Sequence, residues 1–348
     1  MNKASDSTPK LDNDSLAMLL EEVSAMAGAG RSLVNGLADF NDGTMGKIGR
    51  AAKLVRTRIE NGEPAATAMA SLSEKYAAPI RVAMEMMAET GSTQPIYETV
   101  RLIRGANETR QQVRLSVINP MLNVIVAAVV TFFVLPWIMV SLSEAELIKT
   151  AFSPTVTEIW HTFARNFLLA ATATIVVVGL FAAILYWNLT RSLRLSNRLQ
   201  DYATFCRWVA MRVGLPHSSN ANHADAGHVI EMAAEVVGPR FAESWSPAIK
   251  NIRRGSQTSA ALAMPETTPI PVGQCVVDLV SGQRDGQSIA LDMIRLSDLY
   301  GQTSRRRQNW WIDVVPRWVS AILMIAMMVI MLRTILLPLF DIVGEVAR

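Results

Sequence analysis

Residues 59–62 read Ile-Glu-Asn-Gly and residues 252–255 read Ile-Arg-Arg-Gly, and the two quartets hold the same place in two passages that echo each other. In the first passage Gly30 precedes the quartet, Glu89-Thr90-Gly91 follows it, and a basic stretch then runs to Pro120 at the head of a long apolar run. In the second, Gly214 precedes, Gly282-Gln283-Arg284-Asp285-Gly286 follows, and a basic stretch runs to Pro316 before the last apolar run. Duplication on this scale predicts two similar lobes, each joined to its own apolar segment. Such a design suits the transmission of force or the organisation of partners better than the building of one pocket.

Within the first passage Leu16, Leu19, Leu20, Val23, Met26 and Ala27 recur at helical spacing, which predicts an amphipathic helix stopping at Gly28-Ala29-Gly30. Helices are expected next over 45–60, ended by the Asn61-Gly62 pair, then over 63–73, 77–89 and 95–114. The second passage repeats the plan: a helix through Phe205, Val209 and Val213, a break at 214–216, a helix ending at Arg254-Gly255, a proline-rich joint over 264–271, a helix to Val280, and a long exit helix. No stretch alternates like a strand for long. The expected fold is all-α, with two tandem helical bundles and three membrane helices.

The membrane reading rests on three apolar stretches, 117–140, 167–189 and 318–340, each near or above the roughly 20 residues that a bilayer core requires. Trp137 and Trp160 flank the first loop, Tyr186 and Trp187 close the second stretch, and Trp310, Trp311 and Trp318 precede the third, as interfacial aromatics do. Arginines accumulate before the first (101, 104, 110, 114), after the second (191, 194, 198) and before the third (305, 306, 307, 317), whereas 141–166 carries Glu144, Glu146 and Glu158 against Lys149 and Arg165. By the positive-inside rule both lobes face the cytoplasm, and the short loop and the tail with Asp341 and Glu345 lie outside. The predicted division is a disordered start over 1–14, a first cytoplasmic bundle over 15–115, spans over 116–141, 166–190 and 316–340, a periplasmic loop over 142–165, a second cytoplasmic bundle over 196–308, and a periplasmic tail over 341–348. With no apolar core behind Lys3, Ser5, Asp6 and Ser7, no cleavable signal peptide is expected, so insertion relies on the internal spans.

Composition agrees. Half of the 348 residues are hydrophobic, 18% are charged, and the mean hydropathy is +0.24, more apolar than a soluble chain of this charge needs. A net charge of +3, with its cations clustered beside apolar runs, points to anionic lipid and away from nucleic acid. Cys206 and Cys275 lack C-x-x-C spacing and read as reduced core thiols. Gly28-Ala-Gly30-Arg31-Ser32 follows no strand and lacks G-K-[ST], so it is a helix break and not a phosphate loop. His217, His223 and His228, with Asp225, are loosely spaced in a polar connection and read as surface histidines, not metal ligands. The 18 methionines read as adaptable packing surface. No nucleophile with a base and no paired acids lie within the spans, so no catalytic residue, cofactor or metal is expected.

The doubled series of Gly30, Gly62, Glu89-x-Gly91, basic helix and Pro120, then Gly214, Gly255, Gly282-x-x-x-Gly286, basic helix and Pro316, resembles the type II secretion system F family, over nearly the whole chain. That family includes the inner-membrane platform proteins of type II secretion and type IV pilus assembly. The turn often written G-E-x-x-G in the family stands here as Ala88-Glu89-Thr90-Gly91, one residue shorter, and the second turn has Gln283 in place of the acid. The resemblance implies a non-enzymatic platform coupling a cytoplasmic assembly ATPase to the insertion or extraction of pilin or pseudopilin subunits. Bitopic inner-membrane assembly proteins, further copies of the chain and the lipid bilayer complete the implied partners. The glycines, Glu89, Arg110, Arg114, Pro120 and Pro316 are the candidate joints and contacts, the two prolines as bend points. Arg333, deep in the third span, would snorkel outward or meet a pilin acid. A transporter built from internal repeats is the competing class, disfavoured because three spans do not form two equal membrane halves.

Overall fold

The computed structural model describes residues 11–40, 46–143, 154–214, 223–310, 314–332, 340 and 343. Every regular element among them is helical. The first passage forms α1 (Asn13–Gly28), α2 (Leu33–Asp39), α3 (Gly46–Glu60), α4 (Ala65–Ala70), α5 (Ala77–Thr90) and α6 (Gln94–Val129). After α7 (Leu135–Ser143), α8 (Pro154–Arg165) and α9 (Phe167–Val213), the second passage adds α10 (His223–Val237), α11 (Pro239–Arg253), α12 (Ser259–Leu262), α13 (Ile270–Ser281) and α14 (Gly286–Asn309), and α15 (Val315–Met331) follows.

The duplication is visible in this order. Helices α3 and α11 are both 15 residues long and both end in the same way. Gly62 donates its N–H to the Ile59 carbonyl and Glu63 donates to Arg58; Gly255 donates to Ile252 and Ser256 to Asn251. This is the Schellman closure, and it needs a left-handed residue, supplied by Gly62 at φ 91° and Gly255 at φ 84°. A short helix follows in each case, α4 or α12, then α5 or α13, then a long exit helix, α6 or α14.

The chain divides into two compact units. One comprises residues 1–110 and 197–304, so it contains both lobes; the other comprises 111–196 and 305–348. In the lobe unit a single apolar cluster draws Leu16, Leu20, Val55, Ile80 and Ile96 from the first passage and Phe205, Val209, Ile230, Trp245 and Val276 from the second. The largest of these pack through aromatic contacts: Phe205 stacks on Trp245 with ring centroids 4.8 Å apart, and Tyr202 meets Phe241 edge-on at 5.3 Å. The main helix packing between the lobes is α5 against α10.

In the other unit, Pro120–Ile138 and Phe167–Ile184 are long and apolar enough to cross a membrane, with mean hydropathies of 2.3 and 2.5. At 1.5 Å per residue each spans about 27–28 Å, close to the thickness of a bilayer's hydrocarbon core. Their side chains are largely outward: Leu168 is 79% exposed and Ile175 70%. Helix α6 runs through Pro120 unbroken, and the ladder changes instead at Val130–Val134, one π-turn. Pro136 has no N–H to give the Phe132 carbonyl one turn back, which is the physical reason for a reset there. The third apolar stretch is helical over Val315–Met331, while 333–339, with Arg333, lie outside the described residues. Helix α14 ends at Asn309 and α15 begins at Val315; the backbone at Trp310 and Val314 continues in π-type turns, and 311–313 lie outside the described residues.

Two predictions follow from this core. Trp245 is fully buried, so Trp245→Ala should cost about 3–5 kcal/mol in a denaturant titration of the detergent-solubilised protein. Asp201, on α9, has no hydrogen-bond or ion-pair partner among the described residues, and burial lifts its pKa from 3.8 to about 6. The folded state therefore holds its proton more tightly than the unfolded chain, so this site's stabilising contribution is complete below about pH 4 and is lost as pH rises through about 6. Asp201→Asn should raise stability by on the order of 1–3 kcal/mol at pH 7.5 and leave it unchanged at pH 4, measured by the same titration at both pH values.

Candidate functional site

No pocket dominates the described residues; what the fold builds is a set of joints at helix ends and a seam between the lobes. Gly30, Gly91 and Gly282, like the two Schellman glycines, have left-handed backbones that end a helix. Gly214 and Gly286 differ from the expectation of simple breaks, because neither has a positive φ. A Cβ on Gly214 would press on its own helix, 3.0 Å from the Ala210 carbonyl oxygen, and meet the Ala290 Cβ at 3.4 Å, while one on Gly286 would sit 3.4 Å from Val213 Cγ1. The end of α9 and the start of α14 are thus in ordinary van der Waals contact beside these two glycines.

The second turn is braced from within. Arg284 donates to Asp292 Oδ2 at 2.6 Å and to Asp278 Oδ2 at 3.1 Å, clamping α13 to α14, and the bond to Asp292 is the chief cause that holds its pKa above the usual arginine value. In the first turn Glu89 is also engaged inside the chain, by the Arg212 guanidinium of α9. Its neighbour Glu98, on α6, is only 14% exposed and accepts from Arg207 Nη2 at 2.6 Å. Arg207 reaches further, placing Nη1 3.4 Å from Asp298 Oδ1 on α14. A third bond crosses between the lobes where Arg81 of α5 donates to Glu235 of α10 at 2.5 Å.

Within each lobe the first long helix is tied to the exit helix by one ion pair of opposite polarity. In the first lobe Glu21 of α1 accepts from Arg104 of α6 at 2.7 Å; in the second Arg207 of α9 donates to Asp298 of α14. These pairs are partly exposed, so each contributes about 0.2–1 kcal/mol. The Glu98–Arg207 pair, being the most sheltered, leaves the costliest orphan if either partner is removed.

Among the remaining expected residues, Arg110, Arg114 and Pro120 lie on α6, and Pro316 lies in the first turn of α15, where proline is well accommodated. Glu108 is exposed on α6. Of the histidines, His217 lies outside the described residues, His223 opens α10, and His228 Nδ1 lies 4.0 Å from Glu231 Oε2. Cys206 and Cys275 are buried and unbridged, and burial, reinforced by Cys275, pushes the Cys206 thiol up to about 12. Arg81, Arg207, Arg212 and Glu235 had no distinguishing mark in the sequence. A charge on a helix face looks the same whether water or another lobe faces it, and only in the fold does the partial burial of Arg207, Arg212 and Glu98 set them apart.

The sequence model of the family described as Type II secretion system (T2SS), protein F matches residues 19–140 and 222–338, which is more than half of the chain. Neither the curated proteins nor the solved structures gave a match. The two matched regions each contain the greater part of one lobe and the apolar segment after it, the same division that the glycine-ended helices and the exit helices draw. On these grounds the chain belongs to the type II secretion system protein F family.

Proposed function

We propose that this chain is a non-enzymatic platform protein of the bacterial inner membrane, in a type II secretion or type IV pilus-like machine. Its two lobes, over 15–115 and 196–308, face the cytoplasm and receive an assembly ATPase. Its spans, over 116–141, 166–190 and 316–340, meet pilin or pseudopilin subunits and bitopic assembly proteins, and further copies of the chain complete the platform. The loop over 142–165 and the tail over 341–348 are periplasmic.

One observation carries this reading: α6 and α9 are single helices that each hold lobe-core residues at one end and an apolar stretch of membrane length at the other. Helix α6 has 36 residues and α9 has 47, hence lengths of about 54 and 70 Å. The hydrogen-bond ladder of each helix, lacking in α6 only the donor that Pro120 does not have, resists bending, so a displacement imposed on lobe residues such as Ile96 or Phe205 is delivered along its axis. An enzyme would need converging reactive groups, and a transporter would need its polar mass within the bilayer. Neither requirement is served by stiff helices anchored in a soluble core.

The glycine-ended joints at Gly30, Gly62, Gly91, Gly255 and Gly282 keep the lobe helices short and mutually braced. Arg110 and Arg114 occupy the part of α6 between core and apolar stretch, where a load would pass.

Co-purification of the chain with the assembly ATPase from membranes, together with secretion or pilus output, tests the reading. The variant R110E/R114E should insert, keep its helix content and still capture the ATPase, yet lose most output. Absence of ATPase capture by the parent chain, or unimpaired output from the inserted variant, counts against the proposal; solute flux in proteoliposomes would favour a transporter instead.

A further inference from the structure

We propose that the contact between the lobes is a hinged ionic latch, with α5 packed on α10 as the hinge and the α9 arginines 207 and 212 as the latch. The two sides of the contact differ in kind. On the hinge side α5 packs on α10, and Arg81 bonds Glu235 across them. On the latch side the end of α9 meets the corner between α5 and α6 through charges: Arg212 holds Glu89 and Arg207 holds Glu98. A small crevice remains there, lined by Met86, Thr90, Ser92, Gln94, Pro95 and Met211. Two methionines in an incompletely filled corner allow the surfaces to shift without forming a rigid jigsaw.

Arg207 has the central place. Its fork reaches Glu98 on α6 and Asp298 on α14 while its own backbone belongs to α9. One guanidinium thus binds together the three helices by which the chain leaves the lobe unit, returns to it and leaves it again. Releasing its bond to Glu98 frees α6 from α9 and leaves Asp298 to hold Arg207 within the second lobe. The released Arg207 therefore keeps a partner in the open state. Glu98 likewise keeps Arg101, whose Nη1 lies 3.8 Å from the same carboxylate oxygen. Both members of the Arg207–Glu98 pair thus have a second counter-ion on their own lobe, which a contact that opens and closes requires and a permanent brace does not need, while the half-exposed Glu89 of the second pair is released to water.

Because Arg207 and Arg212 are partly exposed, at 28% and 20%, salt reaches the latch. Raising the salt from about 0.1 M to about 1 M shortens the screening length from about 10 Å to about 3 Å, which weakens such pairs while leaving apolar packing at the hinge intact.

Pulsed dipolar spectroscopy on the full chain in lipid nanodiscs tests this, with spin labels on Glu22→Cys of α1 and Lys250→Cys of α11, both exposed and outside the ion pairs described above. The native thiols are buried and protonated, so the labels go to the introduced sites. The parent should give one short distance that shifts toward a longer one at high salt. R212E, which sets two carboxylates face to face, and R207Q, which removes the shared cation, should each populate the longer distance at low salt; adding E89R to R212E should restore the short one. An unchanged distance in R212E and R207Q, or a failure of E89R/R212E to return to the parent value, overturns the latch. Circular dichroism of each variant, expected to keep the parent's helix content, separates folding damage from latch opening, and the measurement needs no ATPase or filament.

Discussion

The structure depends on one shared apolar core that takes residues from both passages of a duplicated chain. Neither lobe is large, and each is built from helices of 4 to 16 residues apart from the long helices that join it. Isolated helices this short are marginal in water, and their stability comes from tertiary packing. Merging two small cores into one cluster raises the buried fraction and fixes α6, α9 and α14 in a common body. The chain must then leave that body at residue 110, return at 197 and leave again at 304. Long uninterrupted helices are the economical way to do so, since they satisfy their own backbone hydrogen bonds wherever they run.

That constraint also explains where charge was placed. An apolar face along the whole contact would make the lobes inseparable, whereas arginine–carboxylate pairs at its edge give register at modest net free energy. The pairs Glu21–Arg104 and Arg207–Asp298 join corresponding helices with reversed sign, so the two lobes preserve the tie while differing in polarity. The same divergence appears in the turns: Glu89 reaches out to the other lobe, while Arg284 stays within its own.

Much of this was legible in the sequence because it is local. Left-handed helix ends leave a glycine at a fixed offset from an apolar stripe, so Gly62 and Gly255 announced the duplication and the ends of α3 and α11. Apolar runs of bilayer length announced the helical segments at 120–138 and 167–184. What escaped was non-local. Nothing in the periodicity of α9 distinguishes Arg207, which faces another lobe, from an arginine that faces water. Gly214 and Gly286 resembled their left-handed counterparts, yet neither has a positive φ, and the approach of α9 to α14 beside them, between residues seventy positions apart, has no spacing rule. A π-turn lies at 130–134, ahead of Pro136, while α6 continues as a helix through Pro120, since a proline can be absorbed at one place and reset the ladder at another according to which carbonyl finds another donor.

The proposed role requires both lobes to lie on one side of a membrane. The most direct measurement is the reaction of an impermeant maleimide with Glu22→Cys and Lys250→Cys, each made singly, in intact cells and in inverted inner-membrane vesicles. Both positions should stay unlabelled in intact cells and both should react in inverted vesicles. Labelling of one position in cells and of the other only in inverted vesicles would contradict the role.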